Sequence, residues 1–354
     1  MPEAKWMLYG AYGYTGVLIA EEAARRGHRP ILAGRDAGRL RPLAERLGLD
    51  WQAVPLDDAD ALREAVTAVN LVLHAAGPYS RTGEPMVRAC LAGITSYLDI
   101  SGEIPYFQAL ARLDQAAYVR EIAIIPGVGF DVVPTDCLAN HVAAQVPNAT
   151  GLEIGIRAIT QPSTGTGRTS VEIIARGGLV RRQGRLQPYP LGQGARRLPF
   201  PHGERLALPV PWPDLESAHR STGIPNITVY LALPAGLVRA AQVAAPLLRG
   251  LLAVGAIRRL VQAAAGMILR GPDAGTRQQG RSEVWARASN AQGQEAQAWL
   301  VTPEAYRFTA LAAVRAVERT LETRPKGMLT PAQAFGADFV LEIEDITRLD
   351  APPT

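Results

Sequence analysis

Short apolar runs alternate with helically spaced stretches over the first 135 residues. Residues 6–9, 30–33, 51–56, 70–75, 96–100 and 122–125 predict six strands. Between them, 16–26, 40–47, 59–66, 85–92 and 107–121 carry the three-to-four spacing that predicts helices. Strictly alternating strands and helices predict two β-α-β-α-β halves, the doubly wound parallel sheet of the Rossmann type.

The register changes after Pro134. Residues 152–160 alternate apolar with polar, a strand with one solvated face, and 161–169, "QPSTGTGRT", predict a loop. A helix is expected over 170–182, and Pro- and Gly-rich chain from 184 to 226 predicts irregular or hairpin-like structure. Residues 227–233 predict a strand, and 282–289 with 295–301 flank "NAQG" as a hairpin. Together these predict an α+β second domain with an antiparallel sheet. Thr302 as N-cap and Pro303 in the first turn predict a helix over 303–321, and another starts at Thr330-Pro331. The expected division is a first domain over 1–135, a second over 136–302 for substrate and dimerisation, and helices 303–354 returning to the first.

Residues 237–269 are strongly apolar, yet Arg239, Arg249, Arg258 and Arg259 interrupt them and Arg270 follows. A spanning helix needs about 20 nearly uncharged residues, so a transmembrane segment is excluded. Two readings remain at this point: a helix pair packed into the core, or an amphipathic surface for lipid or an acyl chain.

Composition narrows the class. The chain has 354 residues, 47% hydrophobic and 20% charged, with a net charge of +4, as in an ordinary water-soluble fold. Lys5 and Lys326 are the only lysines, so the positive charge is nearly all arginine. Cys90 and Cys137 sit among apolar residues, which predicts buried free thiols. The opening "MPEAKWMLYG" has no basic and apolar leader pattern, so a cytoplasmic protein is expected, one that can be peripheral to a membrane through 237–270. No basic stripe interleaved with aromatics appears, and nucleic acid is not an expected partner. His28, His74, His141, His202 and His219 are scattered, without metal spacing.

The candidate chemistry begins at "LYGAYGYTG". Gly10, Gly13 and Gly16 lie between the first strand and first helix, the context in which a glycine triplet signals a dinucleotide site. Gly10 makes the turn, Gly13 lets a pyrophosphate reach the backbone, and Gly16 lets helix and sheet approach. Ala11, Tyr14 and the Thr15 hydroxyl complete the loop. The second strand ends in Gly34-Arg35, with Arg39 one turn on, where an NAD enzyme would carry an acid. Two arginines there select NADP(H), because a guanidinium grips the 2′-phosphate. Asp57, after the third strand, is placed either for the adenine amino group or as a helix cap. Ala75, Ala76, Gly77 and Pro78 end the fourth strand with little side chain, leaving room for a cofactor. Tyr79 is a candidate proton donor or an aromatic packed on the cofactor. Asp131 is a candidate catalytic carboxylate, and Asp99, Glu103 and Asp131 all fall at strand carboxyl ends, as candidates for capping or domain joining.

"GAYGYTG", "AGPYSRTGEPMVRACLAGITSYLDISGE" and "PGVGFDVVPTD", in that order, resemble the saccharopine dehydrogenase-like reductases, in particular the subgroup with trans-acting enoyl reductases. "KGMLTPAQAFG" is similar to that family's closing helix. The resemblance implies a Rossmann NADP(H) domain followed by an α+β domain, and an oxidoreductase. It implies hydride transfer to a C=C bond of a lipid or polyketide-like enoyl substrate. Two alternatives stay open: reduction of an amino-acid-derived imine, with Arg157, Arg168 and Arg176 as carboxylate grips, and a non-catalytic NADP(H)-binding regulator at a membrane. A small-molecule or acyl substrate and a second copy of the chain are the expected partners.

Overall fold

The computed structural model describes residues 4–158, 163, 167, 171–172, 174–268 and 271–351. They form two compact units, Met1–Val133 with Tyr306–Glu344, and Pro134–Ala305 with Asp345–Thr354.

The first unit holds a seven-stranded parallel sheet in the order β15-β6-β5-β4-β1-β2-β3. Its strands are β1 (Trp6–Tyr9), β2 (Ile31–Gly34), β3 (Trp51–Ala53), β4 (Leu71–His74), β5 (Ser96–Asp99), β6 (Ala123–Ile125) and β15 (Gly327–Met328). The helices α1 (Tyr14–Arg25), α2 (Ala37–Leu47), α3 (Ala59–Thr67), α4 (Tyr79–Gly93), α5 (Ile104–Ala111) and α6 (Asp114–Val119) connect them. β1 and β4 are buried throughout, as a parallel sheet covered on both faces requires. The strand order reverses between β1 and β4, and the carboxyl ends there form the crevice where such sheets take ligands. Asp36 and Asp58 accept from Arg39 N and Ala61 N, which starts α2 and α3.

Several boundaries differ from the sequence reading. α4 begins at Tyr79 and carries Pro85 inside it, because the Glu103 carboxylate accepts from Tyr79 N at 2.7 Å and Ser80 N at 3.0 Å. The stretch 107–121 divides into α5 and α6. The long helix runs Ala305–Thr323, and Thr302 is buried in a strand rather than capping it. Its Phe308 meets Phe130 edge-on at 5.8 Å within the first unit.

The second unit is built on a nine-stranded sheet whose main path is β10-β11-β12-β7-β13-β14-β16. These strands are β7 (Gly151–Ala158), β8 (Gly178–Arg182), β9 (Arg185–Tyr189), β10 (Arg196–Leu198), β11 (Arg205–Pro209), β12 (Asn226–Ala232), β13 (Arg281–Ser289), β14 (Glu295–Pro303) and β16 (Thr347–Leu349). The expectation of an antiparallel sheet is corrected to a mixed one, since β12 runs parallel to β7. The long connection from β7 to β12 is what permits a parallel pair. Residues 178–182, expected to be helical, are β8, which pairs with β9 across Gln183-Gly184; both turn residues have positive φ, 51° and 75°. The expected loop 161–169 lies largely outside the described residues. The end of the chain departs from the expected return of 303–354, because β16 pairs with β14 in the second unit.

Candidate dinucleotide site

β1 delivers the chain to Gly10, whose φ of +83° belongs to the left-handed region. A Cβ there would lie 2.7 Å from the Ala76 Cβ, so the turn and the end of β4 are pressed together. A Cβ on Gly16 would lie 2.2 Å from the Gly10 carbonyl O, so helix and turn close up only on glycine. The turn is tied to β2 and β4: Gly10 N donates to Ala33 O at 2.7 Å, and Ala75 N to Tyr9 O at 2.7 Å. Gly13 is the N-cap of α1 and brings no side-chain acceptor, and the first turn holds no acidic residue. A helix start without a side-chain cap presents the positive end of its dipole, which suits an anion. Thr15 has no hydrogen-bond partner for its hydroxyl among the described residues. The Tyr14 ring packs edge-on against Tyr306 at 5.0 Å, so its contribution to the loop is its backbone.

At the end of β2, Arg35 is exposed, and Arg39 is exposed in the first turn of α2. The Arg39 guanidinium lies 4.5 Å over the Tyr12 ring and donates to the Tyr12 carbonyl O at 3.3 Å. Tyr12 was not singled out by the glycine spacing, and the signal for it is the through-space stack alone. Asp57 is exposed, and the capping of α3 falls to Asp58.

On the other side of the crevice, Ala75 and Ala76 are partly exposed and Gly77-Pro78 is exposed, joined by a cis peptide bond. Thr82 Oγ1 donates to Ala76 O at 2.6 Å and holds this turn on α4. Tyr79 is buried, stacks on Tyr106 at 5.8 Å, and donates its hydroxyl to His74 O at 3.0 Å. Burial holds its phenol well above the ordinary value. A phenol so occupied is a packing group, which answers against its candidacy as proton donor.

Beneath it lies a polar chain that the strand pattern does not reveal. Tyr97 Oη donates to Asp99 Oδ2 at 2.9 Å, and lies 2.9 Å from Tyr106 Oη and 3.1 Å from His74 Nδ1. Asp99 also accepts from Ser101 N at 2.9 Å and Gly127 N at 3.0 Å. Burial pushes its carboxyl up to about 6, against those hydrogen bonds, and pushes His74 down to about 3. Asp131 abuts Gly102 just past β5; a Cβ there would meet its Oδ2 at 2.6 Å. Burial pushes the Asp131 carboxyl up to about 6 as well. No group of three or more His, Cys, Asp or Glu with metal-holding geometry occurs among the described residues.

These glycines, alanines and arginines lie at or just past the carboxyl ends of β1, β2 and β4 in the first unit. Residues 6–123 match the family Saccharopine dehydrogenase NADP binding domain. The matched domain carries the features that fit its named cofactor: a cradle that any Cβ would fill at Gly10 and Gly16, an uncapped helix start, and arginines where an NAD site has an acid. The chain is 34% identical over 147 residues to a trans-acting enoyl reductase of Mycobacterium ulcerans, covering 39% of this chain and 35% of that protein. It is 37% identical over 138 residues to a putative trans-acting enoyl reductase of Mycobacterium tuberculosis, covering 37% and 33%. The matched region thus spans about a third of the length of these curated relatives. Among solved structures, apo saccharopine dehydrogenase (L-Glu forming) of Saccharomyces cerevisiae superposes with a TM-score of 0.66 over 98% of this chain and 100% of that one. At 11% identity, that likeness concerns the fold alone.

Proposed function

We propose that the chain is an NADP(H)-dependent reductase acting on the C=C bond of enoyl thioesters with lipid or polyketide-like acyl chains. The observation that carries this reading is the NADP binding domain, with its glycine cradle and the arginines Arg35 and Arg39 after β2, in a chain 34–38% identical over 138–147 residues to proteins named trans-acting enoyl reductase. NADPH held there would supply a hydride for the β-carbon of the enoyl group. The α-carbon then needs a proton. Asp131 is the candidate acid: it sits past the carboxyl end of β6, partly exposed, and still holds its proton near pH 6. Gly10, Ala11, Gly13, Tyr14, Thr15 and Gly16 bind the pyrophosphate, Arg35 and Arg39 the 2′-phosphate, and Asp57 the adenine. Ala75, Ala76, Gly77 and Pro78 leave room for the nicotinamide half.

The imine alternative loses support from the second unit. Two of its three carboxylate grips are engaged: Arg157 pairs with Glu283 at 2.6 Å, and Arg176 with Glu172 at 3.2 Å. Arg168 lies outside the described residues. The test is NADPH consumption with enoyl thioesters and, separately, with an α-keto acid plus amine. Turnover only of the second pair overturns the enoyl reading, and NADPH binding without turnover of either favours the regulator.

The partner surface follows from the helices Ala235–Ala253 and Gly255–Ile268. Among the described residues they expose Leu237 at 58%, Val243 at 83% and Leu260 at 71%, whereas Val238 and Leu252 are buried, so the core-packed reading accounts for only part of them. No Asp or Glu occurs from Ser217 to Pro272, while arginine recurs. Exposed apolar side chains on a segment rich in arginine and without acids of its own suit a bilayer with anionic headgroups. None of the described helices is long and apolar enough to cross a membrane. Val243→Glu with Leu260→Glu is expected to abolish flotation with phosphatidylglycerol vesicles. Absence of flotation by the unaltered chain, or a dimer that the same pair dissociates, would reassign the face.

A further inference from the structure

We propose that Tyr12 sets the selectivity for the cofactor's 2′-phosphate, as the positioning residue that holds Arg39. The proposal rests on the assignment of Arg35 and Arg39 to that phosphate, and it concerns how the grip is built.

An arginine in an exposed first turn of a helix ordinarily spends its charge on a neighbouring carboxylate or samples many rotamers. The arginines around this site do the former: Arg41 pairs with Glu45 at 2.7 Å, Arg46 with Glu21 at 2.8 Å, and Arg63 with Asp60 at 3.1 Å. Arg39 pairs with no carboxylate, and Arg35 has neither hydrogen bond nor ion pair, among the described residues. The acid between them, Asp36, is taken by the Arg39 backbone N–H at 3.2 Å as the cap of α2. Arg35 just past β2 and Arg39 in the first turn of α2 thus carry charge that no carboxylate neutralises among the described residues.

Arg39 is nevertheless not free to wander. Its guanidinium is bracketed twice by Tyr12, face-on at 4.5 Å from the ring centroid and through Nη2 to the carbonyl O at 3.3 Å. Tyr12 is itself seated. A Cβ on Gly34 would lie 2.6 Å from Tyr12 Cε1 and 3.4 Å from Cδ1 and Cζ, so the edge of the ring sits against the end of β2 where only glycine leaves room. Tyr12 belongs to the same turn as Gly10 and Gly13, so one loop both shapes the pyrophosphate cradle and orients the cation beside it. The ring takes no N–H and the Tyr12 carbonyl takes one of the five, so the rest are left to a phosphate, and neither contact neutralises the charge as a carboxylate partner would.

The test is binding, without turnover. NADPH, NADH, 2′,5′-ADP and 5′-AMP are titrated into the purified full chain by calorimetry, with Tyr12→Phe, Tyr12→Leu and Arg39→Ala beside it. The unaltered chain is expected to prefer NADPH over NADH, and 2′,5′-ADP over 5′-AMP. Tyr12→Leu, which keeps bulk over Gly34 but no π face, is expected to weaken NADPH and 2′,5′-ADP about fivefold and leave NADH and 5′-AMP unchanged. Tyr12→Phe keeps ring and carbonyl and is expected to bind as the unaltered chain. Tyr12→Leu in the Arg39→Ala background is expected to add nothing, since its effect runs through Arg39. An unaltered chain without preference for the 2′-phosphate would sink the assignment of the arginines. A preference that survives Tyr12→Leu, or a loss shared equally by NADH, would sink the role of Tyr12 alone.

Discussion

Gly16→Ala is the sharpest perturbation of the cradle. The added methyl would sit 2.2 Å from Gly10 O, 2.9 Å from Ala11 O and 3.0 Å from Ala11 C, all backbone atoms that no rotamer change can move. Restoring an ordinary contact of 3.4 Å to Gly10 O means separating α1 from the turn by 3.4 − 2.2, or about 1.2 Å. Overpacking of this kind costs roughly 1–3 kcal/mol, which for a unit of this size lowers Tm by about 2–12 °C. The same shift draws the first-turn N–H groups away from the pyrophosphate. Losing one charge-assisted hydrogen bond of about 1.5–3 kcal/mol weakens NADPH by roughly 10- to 100-fold. Differential scanning fluorimetry with and without NADPH, and fluorescence titration, read both effects. A variant with unchanged Tm and unchanged Kd would refute the close packing of loop and helix.

Three further outcomes follow from named contacts. Asp131→Asn is expected to lower enoyl reduction by roughly 100-fold or more while leaving NADPH affinity unchanged, and to remove the fall in rate as pH rises through about 6. Because folding raises the Asp131 carboxyl from 3.8 to about 6, its contribution to stability is complete below pH 4, is lost as pH rises through about 6, and is absent in Asp131→Asn; urea melts across that window check the sign. Glu103→Ala removes the acceptor for Tyr79 N and Ser80 N and is expected to cost about 1–2 kcal/mol, read as a lower urea midpoint.

The parallel sheet was legible because buried strands and amphipathic helices carry different periods, and the glycine loop because Gly10, Gly13 and Gly16 fall between the two. Arg35 and Arg39 fall just after β2 and in the first turn of α2, where their position in the sequence put them. The Tyr12 stack was not, since it joins residues 27 positions apart through a ring contact that no spacing encodes. Tyr79 misled for a related reason: an aromatic at a strand end reads as a donor, while its hydroxyl is spent on His74 O. Glu103 was visible as an acid at a strand end, but its seat on the N-terminus of α4, 24 positions away, follows only from the fold. In the second unit, Leu179 and Val180 suited a helix until the Gln183-Gly184 turn fixed them in a hairpin. The parallel β7–β12 pair depends on a long crossover that leaves no local mark.

The central claim is tested most directly by incubating the full chain with C4-deuterated NADPH and a 2-enoyl thioester, and reading the product by mass spectrometry. The account predicts NADPH consumption and a saturated thioester carrying one deuterium at the β-carbon and one solvent proton at the α-carbon. No saturated product from any enoyl thioester, with deuterium appearing instead on the carbon of an α-keto acid–amine adduct, would contradict it.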